Sequence, residues 1–182
     1  IAGLLKQNLV PPQSIIASHP REDRRQRLQQ RFGIRAIESN REAAREADLV
    51  LLTIKPQVLQ TVMRQLFGSL EPHQVVVSVI AGAPIETLVQ GLGHEEVVRV
   101  MPNTPAQIGQ GMSVWHATPS VNDDQIRRIQ AILGALGVEL RVDEEKYVDM
   151  ATALSGTPAE SGRPRVATPL PPPASKPSEW PW

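Results

Sequence analysis

The chain has 182 residues, 41% of them hydrophobic, and its 19 basic and 19 acidic side chains cancel to a formal net charge of zero. That length suffices for one domain and the start of a second, and the balanced charge gives no electrostatic reason to expect nucleic acid or an anionic membrane as partner. The absence of cysteine removes disulfides, thiolate zinc sites and cysteine nucleophiles and fits a reducing cytosol, so a cytoplasmic location is expected; no apolar run approaches the roughly 20 residues of a helical membrane span.

The opening "IAGLLKQNLV" lacks the basic region and cleavage site of a signal peptide and reads as the end of an amphipathic helix whose beginning is absent. Pro11 and Pro12 stop it. "SIIAS" (14–18) is short, β-branched and apolar, the mark of a buried strand. "PREDRRQRLQQRF" is a charged helix closed by Gly33, and "IRAI" (34–37) a short strand. Ser39 or Asn40 caps the polar helix "REAAREA". "DLVLLTI" (48–54) has the apolar run of a strand covered on both faces. Pro56 opens the helix "PQVLQTVMRQLFGSL", and "QVVVSVIAG" (74–82) is another buried strand. Pro84 opens "PIETLVQGLG", "EEVVRVMP" is a strand, and "GMSVWHA" is a candidate extra strand. "NDDQIRRIQAILGALG" is a capped helix closed by Gly137, "VELRVDEE" a last strand, and "KYVDMATALSG" a final helix. This alternation predicts an α/β fold with a doubly wound, mostly parallel sheet.

In such a sheet ligands bind at the carboxyl ends of the strands. The first strand ends in Ser18 and His19, with Arg21, Arg24 and Arg25 just beyond. An acid at that position favours NAD, whereas a hydroxyl with guanidinium groups suits a 2′-phosphate; a solvated helix face balanced by Glu22 and Asp23 is the other reading. "TIKPQ" places Lys55 and the free N–H groups of a proline-started helix at the next strand end, although such turns are common. In "VIAGAP", Gly82 admits close backbone approach to a flat ligand or simply makes a tight turn. "VMPNTPAQIG" holds Asn103 and Thr104 between two prolines, a stiff loop suited to orienting a polar group, or an ordinary turn. The histidines at 19, 73, 94 and 116 are scattered, and no metal or triad spacing occurs. A reaction in which a cofactor carries the chemistry needs no catalytic cluster.

In order and spacing, "TIKPQ", "VSVIAGAPIETL", "VVRVMPNTPAQIGQGMS" and "ATALSGT" resemble pyrroline-5-carboxylate reductase, over residues 1 to about 157. The resemblance implies a Rossmann-like domain over 1–154 and transfer of hydride from NADPH, or NADH, to the cyclic imine 1-pyrroline-5-carboxylate, giving proline. It implies that Ser18, Arg21 and Asn40 meet the adenosine ribose and its 2′-phosphate. Ile54, Lys55 and Pro56 fall in the loop past the nicotinamide ribose and phosphate, and Ala81 and Gly82 beneath the nicotinamide. Met101, Pro102, Asn103 and Thr104 orient the ring. Ser155, Gly156 and Thr157 begin the substrate loop, with the Thr157 hydroxyl as the expected partner of the imine nitrogen.

Two departures go with the resemblance. The family begins with a strand and a glycine-rich phosphate loop, absent here, and loss of that central strand would leave strand edges unpaired. At the other end "SGTPAE" lacks the family's second glycine, and residues 155–182, with 8 of the 17 prolines, are expected to be a disordered tail in place of the helical dimerisation domain of a homo-oligomer. A frameshift near Thr157, a pseudogene product, a catalytically dead dinucleotide-binding module and an inactive fragment are the readings this raises; a PxxP ligand is a further one.

Overall fold

The structure, a computed structural model, describes residues 1–102 and 111–155, with side chains to 151. Strands and helices alternate as expected: α1 (Ala2–Lys6), β1 (Ile16–Ser18), α2 (Glu22–Phe32), β2 (Arg35–Ile37), α3 (Asn40–Arg45), β3 (Leu49–Leu52) and α4 (Leu59–Leu66) come first. They are followed by β4 (Val75–Ser78), α5 (Ile85–Leu92), β5 (Val97–Pro102), β6 (Gly111–Ala117), α6 (Asp123–Gly134), β7 (Gly137–Arg141) and α7 (Lys146–Ser155). Proline acts where it should: single 3₁₀ turns at Pro12–Ser14 and Pro56–Val58 stand at the two positions where it stops or opens a helix.

Helix ends follow local chemistry. Gly33 closes α2 in the left-handed conformation, φ 64°. Of the two candidate caps of α3 it is Ser39 that acts, its hydroxyl accepting the Glu42 N–H at 3.2 Å; Asn40 is the first helical residue. Asn122 and Gln125 form a reciprocal capping box on α6. Gly137 does not close α6 as expected. The helix ends at Gly134, and Gly137 opens β7 with φ 137°. A Cβ there would lie 2.1 Å from the Gly111 carbonyl oxygen, so glycine is required by the approach of two backbones.

Strands β3, β4 and β5 pair in parallel, β6 joins β5 antiparallel, and β7 is parallel to β6. The sheet is mostly parallel, as expected. One core cluster packs Leu59, Met63 and Leu66 of α4 and Leu88 and Leu92 of α5 on Val76 and Val97. The other packs Ile126, Ile129 and Leu133 of α6 on Val75, Val77, Val98, Val100 and Trp115. Strands β4 and β5 are thus covered on both faces. The same expectation for β1 and β3 needs correction: Ile16, Ala17 and Ser18 are only half-buried, and Leu51 is 45% exposed. The reason is topological. Strands β1 and β2 form a separate parallel pair, and the five-stranded sheet begins at β3, so β1 and β3 are edges among the described residues.

Two glycine substitutions test these assignments with opposite signs. Gly137→Ala is expected to cost more than about 2 kcal/mol through the backbone clash and strained φ. Gly134→Ala, whose Cβ would meet nothing within 4 Å, is expected to gain about 0.5–1 kcal/mol. Urea unfolding of the two variants checks both; equal midpoints would refute the assigned role of Gly137.

Candidate functional site

Parallel pairing directs the carboxyl ends of β3, β4 and β5 to one rim, and the expected site residues among those described lie on that rim, at the end of β1 and its following turn, or, for Asn40, at the start of α3. Ser18 ends β1. Its hydroxyl donates to Asn40 Oδ1 at 2.7 Å, and Asn40 Nδ2 donates to Gln65 Oε1 at 2.6 Å. Two expected site residues are therefore in direct contact, half-buried, and tied to α4. Arg25 has a different task. Its Nη1 donates to the His19 and Pro20 carbonyls at 2.8 and 2.9 Å, and its Nη2 lies 3.7 Å from Glu38. It fastens the β1–α2 turn.

Beside that turn lies a groove of about 560 Å³. One face of α2 supplies Arg24, Arg27, Leu28 and Arg31, positions spaced as a helical stripe. His19, Arg21 and Phe32 complete its wall, and Lys55 closes it from the turn after β3. Five permanent cations line one concavity in a chain of zero net charge, so the local field favours an anion. Arg21 is held by Asp23, Nε to Oδ1 at 2.9 Å and Nη2 to Oδ2 at 2.7 Å. Those hydrogen bonds, with the Arg21 and Arg24 charges adding to them, keep the Asp23 carboxyl below its usual range against an opposing desolvation. An anion entering the groove competes with Asp23 for Arg21, whereas Arg24 and Lys55 make no ion pair among the described residues. A second hollow of about 360 Å³ lies by His116, Thr118, Arg141 and Asp143 and contains none of the expected residues.

Farther along the rim, Ile54 packs against the core cluster under α4 and α5, and Pro56 opens its 3₁₀ turn. Ala81 and Gly82 are exposed in the turn after β4. Gly82 has φ 70°, and a Cβ there would meet nothing within 4 Å. Backbone conformation requires the glycine, and the space over the turn is open. Met101 and Pro102 end β5, paired with Val114 and Ser113 of β6. Asn103, Thr104, Gly156 and Thr157 lie outside the described residues, as does the Ser155 side chain.

Comparison with known proteins bears on this arrangement. A family profile described as "NADP oxidoreductase coenzyme F420-dependent" matches residues 1–82. A pyrroline-5-carboxylate reductase from Pseudomonas aeruginosa is 40% identical over 158 residues, 86% of this chain and 58% of that protein. The solved pyrroline-5-carboxylate reductase of Coxiella burnetii superposes with a TM-score of 0.76 at 26% identity, over 85% of this chain and 57% of that one. Over about 85% of its length the chain is similar to pyrroline-5-carboxylate reductases. The Plasmodium falciparum pyrroline carboxylate reductase, solved with NADP bound, is similar at a TM-score of 0.74 and 26% identity, covering 85% of this chain and 56% of that one. The chain spans a little under three fifths of the length of these family members. Its described part is a Rossmann-type α/β domain.

Reading the sequence as reductase-like singled out Arg21 from α2 and its approach. The structure adds Arg27 and Arg31, and gives Arg24 a wall of the groove. The signal was present in the spacing, since 24, 27, 28 and 31 are i, i+3, i+4 and i+7 of one helix. Arg24→Ala is expected to weaken binding of adenosine 2′,5′-bisphosphate about tenfold, the loss of one charge-assisted contact. Asp23→Asn is expected to strengthen it by about threefold by releasing Arg21. Because Asp23 titrates below the ordinary carboxylate range, that gain persists as pH falls through the range and shrinks only beneath it. Calorimetric titration at several pH values checks both; an Asp23→Asn variant that binds no tighter refutes the competition.

Proposed function

We propose that the protein is an NADPH-dependent pyrroline-5-carboxylate reductase, which reduces 1-pyrroline-5-carboxylate to L-proline in proline biosynthesis, as a cytoplasmic homo-oligomer. The observation that carries the reading is the convergence of the family's strand-end motifs on one rim, with a cation-lined groove after β1. The residues present fit the dinucleotide. Ser18 and Asn40 form a preset polar pair for the adenosine ribose, and the Arg24 stripe with Arg21 matches a 2′-phosphate, which favours NADPH over NADH. Lys55 stands where it reaches phosphate. Ala81 and Gly82 offer a turn free of side-chain bulk, on which a flat ring can lie.

NADPH supplies the hydride that the imine carbon receives, so the protein is left with positioning. Met101, Pro102, Asn103 and Thr104 orient the ring in this reading. Ser155, Gly156 and Thr157 hold the imine acid, and the Thr157 hydroxyl hydrogen-bonds the imine nitrogen, which takes up a proton as the carbon is reduced.

The test is a fluorescence titration with NADPH, followed by addition of 1-pyrroline-5-carboxylate and quantification of proline. Saturable binding, weaker for NADH, with proline formed in step with NADPH loss is the expected result. Binding without proline leaves these residues only the cofactor half of the reaction. Absence of saturable NADPH binding would sink the reading.

A further inference from the structure

A charge cluster lies beneath the rim and takes no part in the roles assigned above. Arg99, in the middle of β5, is 2% exposed. Its Nη1 donates to Glu145 Oε1 at 2.7 Å and its Nη2 to Asp149 Oδ1 at 2.6 Å. Glu145 Oε1 also accepts the backbone N–H of Ile85 at 2.8 Å. That N–H belongs to the first residue of α5, whose N-cap, Pro84, has no side chain able to accept it. Burial disfavours the charged guanidinium, but the hydrogen bonds of Asp149 and Glu145 outweigh it and hold Arg99 above its ordinary range. Glu145 and Asp149 are one helical turn apart and would repel each other without the cation between them.

Stability alone is a poor account of this cluster. A buried ion pair seldom stabilises more than well-packed apolar side chains of the same volume. What it adds is direction, because a planar guanidinium fork fixes the placement of both carboxylates. The placement here has a pattern. Arg99 pairs in register with Ser78, the last residue of β4, and stands three residues before Pro102. Glu145 grips the exit of the turn holding Ala81 and Gly82. The helix α7, which Glu145 and Asp149 anchor, runs to Ser155.

We propose that Arg99 and Glu145 are a positioning pair that locks three segments into one body: the turn after β4, the middle of β5 and the start of α7. On the reductase reading, on which this clause rests, the pair sets the spacing between the nicotinamide over Ala81–Gly82 and the helix α7. Glu145 is the arm that joins two elements, since it bonds both Arg99 and the Ile85 N–H. Its side chain is 28% exposed against 59% for Asp149, so water screens the Asp149 contact more.

Hydrogen exchange of the 182-residue chain without ligand tests the coupling. Glu145→Ala is expected to accelerate exchange about tenfold or more in both 79–88 and 144–151, as loss of a charge-assisted hydrogen bond implies, while α4 and α6 keep their protection. Glu145→Gln retains an oxygen for the Ile85 N–H but not the charge. It should restore protection at 79–88 and leave 144–151 accelerated. Asp149→Asn should leave 79–88 as in the parent chain. Uniform acceleration through α4 and α6, acceleration confined to α7, or a Gln variant that accelerates nothing overturns the proposal. An NADPH titration of Glu145→Ala then reads the functional consequence, expected as weaker affinity than the parent; unchanged affinity overturns the positioning role. A parent chain that does not bind NADPH defeats the reductase reading instead, and the exchange result still decides the pair.

Discussion

Strands β4 and β5 bury side chains on both faces, Val76 and Val97 toward α4 and α5, and Val75, Val77, Val98 and Val100 toward α6. A strand in that position cannot slip by one residue without exchanging its two faces, so its register is strongly specified. The helical crossovers from β3 to β4 and from β4 to β5 each return the chain to the same end of the sheet, so these three strands run parallel. The turns after β3, β4 and β5 are thereby gathered on one rim. The placement of Lys55, Gly82 and Pro102 side by side is a consequence of core packing, settled before any of them meets a ligand.

The rim has two ends with different chemistry. At the β1 end a neutral, half-buried hydroxyl–amide pair stands beside a groove of arginines. Those arginines repel one another in water and stay together because α2 carries them at helical spacing. Toward the β5 end, the turn after β4 presents Ala81 and Gly82, uncharged and open, and beneath it the buried Arg99 is paired with Glu145 and Asp149. A field at one end and a fixed, uncharged surface at the other suit a long ligand with an anionic head and a flat tail.

Most of this was legible in the sequence, for particular reasons. Unbroken β-branched runs such as "VVVS" announce two-sided burial, and glycine and proline punctuate the helices at Gly33, Pro56 and Pro84. Gly137 misled because a glycine after a helix has two physical uses, a left-handed cap and a close strand approach, and only the tertiary position of Gly111 decides between them. The strands "IAS" and "LVLL" misled in another way. Composition records what a strand is suited to contact, and exposure records what it contacts among the described residues; at β1 and β3 the two differ. Among the site residues, local motifs located the rim turns. Glu145 was invisible, since its partners Arg99 and Ile85 are 46 and 60 residues away and no local signal marks such a contact.

Because no strand ladder joins β1 to β3 among the described residues, the pair β1–β2 is attached to the larger sheet through α3 and its side-chain bonds. Asn40 bonds Gln65, Arg41 donates to the Gln65 carbonyl at 3.1 Å, and the buried Gln74 donates to the carbonyls of Ala44 and Ala47. Hydrogen bonds of this kind, including the exposed one from the Arg41 guanidinium, contribute about 1 kcal/mol each, against several for each large side chain in the core. Ala43 and Ala44 are the buried apolar residues of α3, and they are small. The groove between Arg21 and Lys55 is consequently bounded by a firmly packed wall on the β3 side and a lightly held one on the β1 side. An anionic ligand that bridges the two walls supplies an attraction between them. Its binding should therefore order the β1 side more than the β3 side, which makes the phosphate end of the site the one most coupled to folding.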